Sequence, residues 1–230
     1  MPVTIGTGTP TRDIGALTSV AATPMTSASW TLSGSEIAIL VSISINEFTG
    51  SVAVTAVTWS LGSGTPVEVA SILSGDGRQR VYVIPNATAG AGTYSVTLDA
   101  ARPVQITATY FTSTNTTTPC PAADAVTSLV DQSTGTHTPA NLTANDASYG
   151  GAASTAANPL SAGPNQTYID GSTAVNALAA YATGTTGITF TYDGSIPASK
   201  VAVRIVASAG AGGPTLSANL QEASGPPSYF

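Results

Sequence analysis

The sequence predicts an all-β protein, an antiparallel β-sandwich, on three observations. Residues 37–45 alternate β-branched Ile and Val with small residues, a period of two that is typical of a strand with one apolar face. Further strand-like runs recur about every 12 residues, separated by turn sequences rich in Gly, Pro, Asn and Asp. Charged residues make up only 8% of the 230 residues, so hydroxyl groups supply most of the polarity. A chain of this length can bury one core without a disulfide framework.

The strands are predicted in chain order from these runs. The strand at 37–45 is expected to form a hairpin with residues 51–60 across the break at 46–50. Residues 188–192 are expected to pair with 201–205. The run NALAAYA is short and bounded by Gly and Thr, so it is interpreted as a strand and not a helix. The remaining strand-like runs are PVEVASIL, RQRVYVI, GTYSVTLDA and PVQITATYF.

The pattern also divides the chain. Residues 1–34 carry Gly, Thr and Pro punctuation with little periodicity and are predicted to form an extended N-terminal arm. Residues 35–210 form the predicted sandwich, with a possible crossover or linker at 112–124, where no apolar period exists. Residues 211–230 are predicted to form a C-terminal arm that ends in an aromatic pair.

The strand order over residues 36–210 resembles the jelly-roll-type sandwich modules of bacteriophage virion proteins and bacterial surface proteins. A strand ending in PN, a Gly-rich loop and the GTYSVTL strand carry the resemblance best. It implies a scaffold shared by capsid decoration (cement) proteins, tail or fibre components and carbohydrate-binding modules. The resemblance contains no catalytic residues, so none is transferred.

The residues that could carry chemistry favour a non-enzymatic protein. His137 is the single histidine and has no nucleophile-elbow serine near it, so we interpret it as a loop histidine. Cys120 is also single, which excludes an intrachain disulfide. One Cys and one His do not make a zinc site. No catalytic residue, metal site or cofactor is therefore predicted.

The remaining polar and aromatic motifs have structural explanations. Asp76, Asp170 and Asp193 each precede Gly, as turns require, although calcium binding by such loops stays possible. Four Asn-x-Thr sequons are attributed to the abundance of Thr. Tyr94 and Tyr110 share the parity of apolar strand residues, which favours the core. An alternative function, a carbohydrate-binding or adhesion module, would use Trp59 or the loop residues Tyr149 and Tyr168.

The charge distribution indicates what the chain binds. Twelve acids and six bases are spread thinly and give a net charge of −6, so no basic patch exists for nucleic acid or anionic lipid. Neutral Ser, Thr, Ala and Gly faces suit close packing against other chains. Together with the resemblance, these neutral faces predict a homo-oligomeric virion protein. It is expected to bind itself and other virion proteins such as the major capsid protein. Capsid decoration is the preferred role, and a tail or fibre component is the alternative. The predicted partner-binding residues are Ile5, Arg12, Ile14, Leu17, Leu216, Leu220, Tyr229 and Phe230.

The start MPVTIGTGTPTRD has neither a cationic region nor an apolar core of a signal peptide. We therefore expect synthesis in a host cytoplasm, without a cleaved signal, and a final location in the virion. No stretch reaches the length of a membrane-spanning helix, so no membrane partner is predicted.

Overall fold

A computed structural model describes residues 1–6, 12–18, 24–46, 52–72, 77–130, 134–153, 160–162, 167–172, 177–192 and 198–209. The described residues form antiparallel strands and one 3-10 turn, so the predicted all-β class is confirmed. The first half of the chain holds eleven of the strands: β1 (Thr4–Ile5), β2 (Arg12–Thr18), β3 (Met25–Thr26), β4 (Trp30–Leu32), β5 (Ala38–Asn46), β6 (Val54–Trp59), β7 (Val67–Ile72), β8 (Gly77–Ile84), β9 (Gly90–Gly92), β10 (Tyr94–Leu98) and β11 (Pro103–Thr112).

The second half begins with the 3-10 turn η1 (Ala122–Asp124), which lies at the end of the predicted crossover 112–124. Its strands are β12 (Val126–Val130), β13 (Thr134–His137), β14 (Ala147–Ala153), β15 (Leu160–Ala162), β16 (Thr167–Ser172), β17 (Ala177–Thr183), β18 (Ile188–Tyr192) and β19 (Ala198–Ile205). The strand predicted at NALAAYA is β17, and the four strand-like runs between residues 66 and 111 contain β7, β8, β10 and β11.

The strands form four sheets and a short ribbon. Sheet 1 has the order β3-β10-β6, and sheet 2 has the order β1-β11-β5-β8-β7 with β2 also paired to β11. Sheet 3 has the order β12-β19-β14-β17-β16, and sheet 4 has the order β13-β18-β15. The ribbon β4–β9 contributes Trp30 and Leu32 to the same core as sheet 1.

Three hydrophobic clusters stack these sheets into four layers. The first lies between sheets 1 and 2, where Ile39, Val41 and Ile43 of β5 meet Tyr94 and Val96 of β10. Apolar side chains from the other face of sheet 2 form the second cluster with sheet 3, and those from the far face of sheet 3 form the third with sheet 4. The described residues therefore form two sandwiches packed through their inner sheets, whereas the sequence analysis predicted a single sandwich over residues 35–210. Both faces of β5 are buried, because its alternate residues serve different cores.

Two predicted pairings are wrong. β5 does not form a hairpin with β6, because β5 pairs with β8 and β11 in sheet 2 while β6 pairs with β10 in sheet 1. β18 likewise does not pair with β19, which lies between β12 and β14. In both cases consecutive strands cross between layers, and alternation within one strand carries no information about that crossing.

The segment predicted as an N-terminal arm contains strands of the chain's own sheets. β1 and β2 pair with β11, β3 pairs with β10, and β4 pairs with β9. Val3 is buried in the cluster between sheets 2 and 3, and Trp30 is buried between sheets 1 and 2. The Gly/Pro punctuation that suggested an arm separates these short strands. The predicted C-terminal arm, 211–230, lies outside the described residues.

Candidate interaction surface

His137 is a buried strand residue and not the predicted loop histidine. It ends β13, its side chain is 8% exposed, and its ring lies 6.4 Å from that of Phe190. Burial lowers the pKa of His137, and the positive charge of Lys200 lowers it further. Its Nε2 has no hydrogen-bond partner within the described part of the chain. In a catalytic triad a ring nitrogen of the histidine bonds to the hydroxyl of the nucleophile. Nε2 of His137 makes no such bond within the described residues.

The best-connected carboxylates hold together one end of the second sandwich. Arg204 at the end of β19 donates from Nη1 to Asp124 of η1 over 2.9 Å and from Nε to Asp146 over 3.0 Å. Asp146 also accepts from the Thr143 amide and hydroxyl and from the Ala207 amide. Burial alone raises the pKa of Asp146, but these bonds outweigh burial and hold its pKa below the ordinary value. The network ties β19 to η1 and to the segment before β14.

A second polar cluster joins β7 and β8 of sheet 2. Arg80 Nη1 and the Tyr82 hydroxyl both donate to Glu68 Oε2 over 2.7 Å. Burial raises the pKa of Glu68, but hydrogen bonds from Ser71, Tyr82 and Arg80 bring its pKa below the ordinary value. Burial, followed by the bond to Glu68, raises the pKa of Tyr82 to about 12.

The described ranges were searched for side chains that could bind a metal ion or act as a nucleophile. They contain no group of three or more His, Cys, Asp and Glu side chains that could hold a metal ion. Cys120 is buried with a free thiol, and burial raises its pKa, which opposes thiolate formation. Of the three Asp-Gly acids, Asp170 lies in β16 beside a register shift, and Asp76 and Asp193 lie outside the described residues.

The aromatic residues considered for sugar stacking are core residues. Trp59 is 4% exposed, and its ring lies 6.3 Å from that of Trp30, edge to face. Trp30 also contacts Tyr94 and Tyr110, as the parity of those two tyrosines predicted. Tyr149 lies in β14 and is fully buried, so its assignment to a loop was wrong. These rings pack in the cores between the sheets, so Trp59 and Tyr149 are not exposed platforms on which a sugar could stack. Tyr168 lies in β16, and its side chain is outside the described set.

The predicted partner-binding residues fall into two groups. Ile5 is half-buried in β1 opposite Phe111, and Arg12, Ile14 and Leu17 lie in β2. The backbone of this group therefore pairs within the chain's own sheet 2. Leu216, Leu220, Tyr229 and Phe230 lie outside the described residues.

The structure presents a surface that sequence reasoning missed, the free edge of β6. β6 is the last strand of sheet 1, and no strand among the described residues pairs with its other side. The amide of Ser60, directly after β6, donates to the carbonyl of Thr93, directly before β10. Because antiparallel ladders alternate, Thr58 and Ala56 also direct their backbone groups to β10, and Val57 directs its own outward. On this outer side the carbonyl of Trp59 already accepts from the amide of Gly62, so the part of the edge without such a bond lies around Val57.

A shallow groove runs along this edge. One part lies beside β6 and is lined by residues 54–57 of that strand together with Pro66 and Tyr82. The next part shares Val57 and Pro66 and continues past Trp59 and the loop 62–66. The lining of the groove is therefore mixed, with hydroxyl side chains such as Thr55, Thr58 and Ser63 beside the apolar ones.

Exposed apolar side chains and the absence of charge mark the same region. Leu61 is 41% exposed and Val67 is 48% exposed, and they flank the loop that bounds the groove. β6 itself, VTAVTW, carries no charged residue, and the nearby Glu68 and Arg80 neutralise each other. Natural edge strands are usually guarded by charge or covered. The signal in the sequence was a charge-free strand with the apolar residue Leu61 two positions after its end.

Comparisons with protein-family models, with curated proteins and with solved structures give no match. Within the described ranges, no helix is long and apolar enough to cross a membrane.

Proposed function

We propose that this chain is a non-enzymatic structural protein of a virion, specifically a capsid decoration (cement) protein that works by packing against neighbouring chains. The observation that carries the proposal is the outward face of sheet 1, which consists of Thr26, Ala56, Thr58, Ser95 and Thr97. The Thr26 and Ser95 hydroxyls bond to each other over 2.8 Å. None of these five residues is charged, and four of them carry a hydroxyl group.

Such a face is suited to burial in an assembly. Short hydroxyl and methyl side chains lose little rotamer entropy when another chain covers them. No ion has to leave water, so the desolvation penalty of charged interfaces is avoided. A soluble monomer usually carries charges over about a quarter to a third of its surface, which oppose edge-to-edge association. Their scarcity in this sequence favours a protein whose surface is meant to be covered.

The viral context rests on the resemblance of residues 36–210 to phage virion modules. The elements that carry the resemblance are β8, the turn at Pro85 and Asn86, and the strands β9 and β10. Asn86 adopts a φ of 50° and Gly90 a φ of 130°, conformations that Asn and Gly tolerate better than other residues. In the proposed mechanism the stacked sandwiches sit over junctions between capsid subunits and hold adjacent copies together.

Two experiments test the proposal. Mass spectrometry of purified particles from a culture that expresses this sequence should detect the chain at a stoichiometry of many copies. Thr58→Glu combined with Thr97→Glu should then reduce particle occupancy at least tenfold, because two charges would be buried without partners. The matched control is Thr136→Glu with Thr189→Glu, a hydroxyl pair exposed on sheet 4 at the opposite side of the stack.

Absence of the chain from purified particles would overturn the proposal. Localisation to the tail, or to fibres, would replace capsid decoration by the other virion role. Binding of the isolated chain on a glycan array, with no particle association, would favour the carbohydrate-binding alternative.

A further inference from the structure

We propose that sheet 4 is an acid-sensitive flap, which opens away from sheet 3 when the buried ring of His137 takes up a proton. This goes beyond the proposed function and concerns the isolated chain, so its tests do not depend on particle binding. Three features carry it: the thin core beneath sheet 4, the buried position of the His137 ring, and the cation on the strand below that ring.

The core between sheets 3 and 4 is thin. β13, β18 and β15 contain four, five and three residues. The third cluster, which joins them to sheet 3, consists of Ile188, Phe190 and four alanines, whereas the other two interlayer clusters contain many larger side chains. Alanine buries little apolar area, and a small sheet of short strands depends on its packing for stability. Sheet 4 is therefore the layer that we expect to open at the lowest cost in free energy.

His137 connects this thin core to the proton concentration. Its ring lies against Phe190 of the third cluster at a tilt of 38°, and its buried Nε2 has no hydrogen-bond partner among the described residues. Protonation makes both ring nitrogens donors and places a charge on the ring. In the closed form that charge would be buried, whereas in the open form water would solvate it. Uptake of a proton therefore favours the open form.

The charges around the ring act in the same direction. Lys200 lies on the same face of β19 as Ala202 of the third cluster, β19 packs against β13, and the Lys200 side chain is fully buried. Burial first, and then the positive charge of Lys200, lower the pKa of His137. Farther along this face, Arg204 is bonded to Asp124 and Asp146.

The other strands around the third cluster contribute no charge. β12 and β15 contain no ionisable residue, and Tyr192 at the end of β18 is of a type that is neutral in acid. The remaining described residues on the inner sides of β14, β17 and β18 are Ser148, Gly150, Ala152, Ala180, Ala182, Ile188 and Phe190. Within the described part of the chain, the carboxylates near this face are thus those already bonded to Arg204.

The direction of the pKa shift defines the pH window. Because the pKa of His137 in the closed form lies below its ordinary value of 6.5, the stability of that form is complete above pH 6.5. This stability is lost as the pH falls through 6.5 towards the lowered value. With a pKa of 6.5 in the open form and no protonation of the closed form, the open fraction would rise about 25-fold between pH 7 and pH 5, which is the upper bound.

Two measurements on the unmodified chain test the flap. His137 is the single histidine of the sequence, so nuclear magnetic resonance of its ring protons titrates this group alone. Amide hydrogen exchange in β13 and β18, divided by the intrinsic exchange rate at each pH, measures the opening of sheet 4, and β10 of sheet 1 is the internal reference.

Two variants separate the causes. Lys200→Met removes the neighbouring cation and keeps most of the aliphatic stem. Thr136→His combined with His137→Phe keeps an aromatic ring in the buried position and moves the histidine to the exposed neighbouring position on β13.

We expect the His137 ring to titrate below pH 6.5, and protection in β13 and β18 to fall at least fivefold between pH 7 and pH 5, against less than twofold in β10. Lys200→Met should raise the pKa of His137 and reduce this loss of protection. The relocated histidine should titrate near pH 6.5, and its variant should lose less than twofold.

The outcomes that would overturn the flap are equally specific. They are a His137 pKa at or above 6.5, an equal loss of protection in β10, or an acid-induced loss that persists when the histidine is relocated. An unchanged pKa in Lys200→Met would overturn the part assigned to the cation. The first two outcomes are measured on the unmodified chain, so they remain decisive even where a variant does not fold.

Discussion

Replacing Arg204 by Met tests whether the two sandwiches unfold as one unit. The substitution keeps the aliphatic stem of the side chain but leaves Asp124 and Asp146 without their shared cation, at 8% and 2% side-chain exposure. Removing one partner from a buried ion pair costs about 3–5 kcal/mol. The Thr143 and Ala207 bonds to Asp146 and the Asn141 bond to Asp124 remain, which places our expectation near 3 kcal/mol.

The tryptophans make the assay informative. Trp30 and Trp59 both lie in the cluster between sheets 1 and 2, so their fluorescence reports only the first sandwich. Arg204 belongs to the second sandwich. Because sheets 2 and 3 share a large apolar cluster, we expect urea to unfold both together, and Arg204→Met to shift the fluorescence and circular dichroism transitions equally. Arg102→Met, at the surface of the first sandwich, is the control and should cost less than about 1 kcal/mol.

The pH dependence of the same pair of proteins checks the electrostatic cause. The folded-state pKa of Asp146 is lowered, so its contribution to stability is present above the unfolded value near 3.8 and is lost as the pH falls through the folded value. The difference between the unmodified chain and Arg204→Met should therefore be constant near neutral pH and shrink below about pH 4. A fluorescence transition unmoved by the substitution would refute the coupling, and a difference independent of pH would refute the ionic explanation.

Three further predictions follow from buried groups. Cys120 should resist a thiol reagent in the folded chain and react only as fast as the protein opens, because its thiol is buried and its pKa raised; rapid reaction without denaturant would contradict this. Tyr82 should titrate near pH 12 by ultraviolet absorbance, and Glu68→Gln should bring its pKa down, since the neighbouring negative charge is removed; an unchanged titration would contradict that cause. Gly151→Val should destabilise the chain by about 1–3 kcal/mol in urea unfolding, because a side chain there meets Gln79 and Ser42 across sheets 2 and 3, and a neutral effect would argue against their close approach.

The strands of the first sandwich were predictable because large β-branched residues mark one face. In β5 the isoleucines at 39, 43 and 45 share a parity, and all of them are buried between sheets 1 and 2. Tyr94 and Tyr110 followed the same rule. The pattern establishes which residues are buried but leaves open which strand lies alongside. The incorrect hairpin of β5 with β6 shows this limit, since the two strands are consecutive in the chain yet belong to different layers.

The second sandwich was harder to predict because its central strand is built of small residues. All seven residues of β14, ASYGGAA, are buried. Gly and Ala give little hydrophobic contrast, so alternation is weak where both faces are covered. The small side chains nevertheless let the layers approach, as at Gly150, where an added Cβ would lie 3.2 Å from the ring of Phe190. Because the hydrophobicity of successive residues differs so little here, the sequence pattern revealed neither this strand nor the second core.

The candidate interaction surface was missed for a related reason. Trp59 was considered an exposed platform because nothing in VTAVTW assigns it to a face, whereas in the structure Trp59 and Val57 point to the core and Ala56 and Thr58 point outward. The freedom of the edge depends on strand order, which is a property of the whole fold. The neutral composition, by contrast, was visible from the sequence and is the property on which the proposed function depends.

The contact between Met1 and Ser208, shortly after β19, has a mechanical consequence. The amino group of Met1 donates to the carbonyl of Ser208 over 3.3 Å, and the amide of Val3 donates to Asn145 of the second sandwich. Tension applied between residues 1 and 209 would therefore act across a few ångströms at one pole of the molecule. The load would reach the contacts of Met1 and Val3 first, before the rest of the cluster between sheets 2 and 3 in which Val3 is buried.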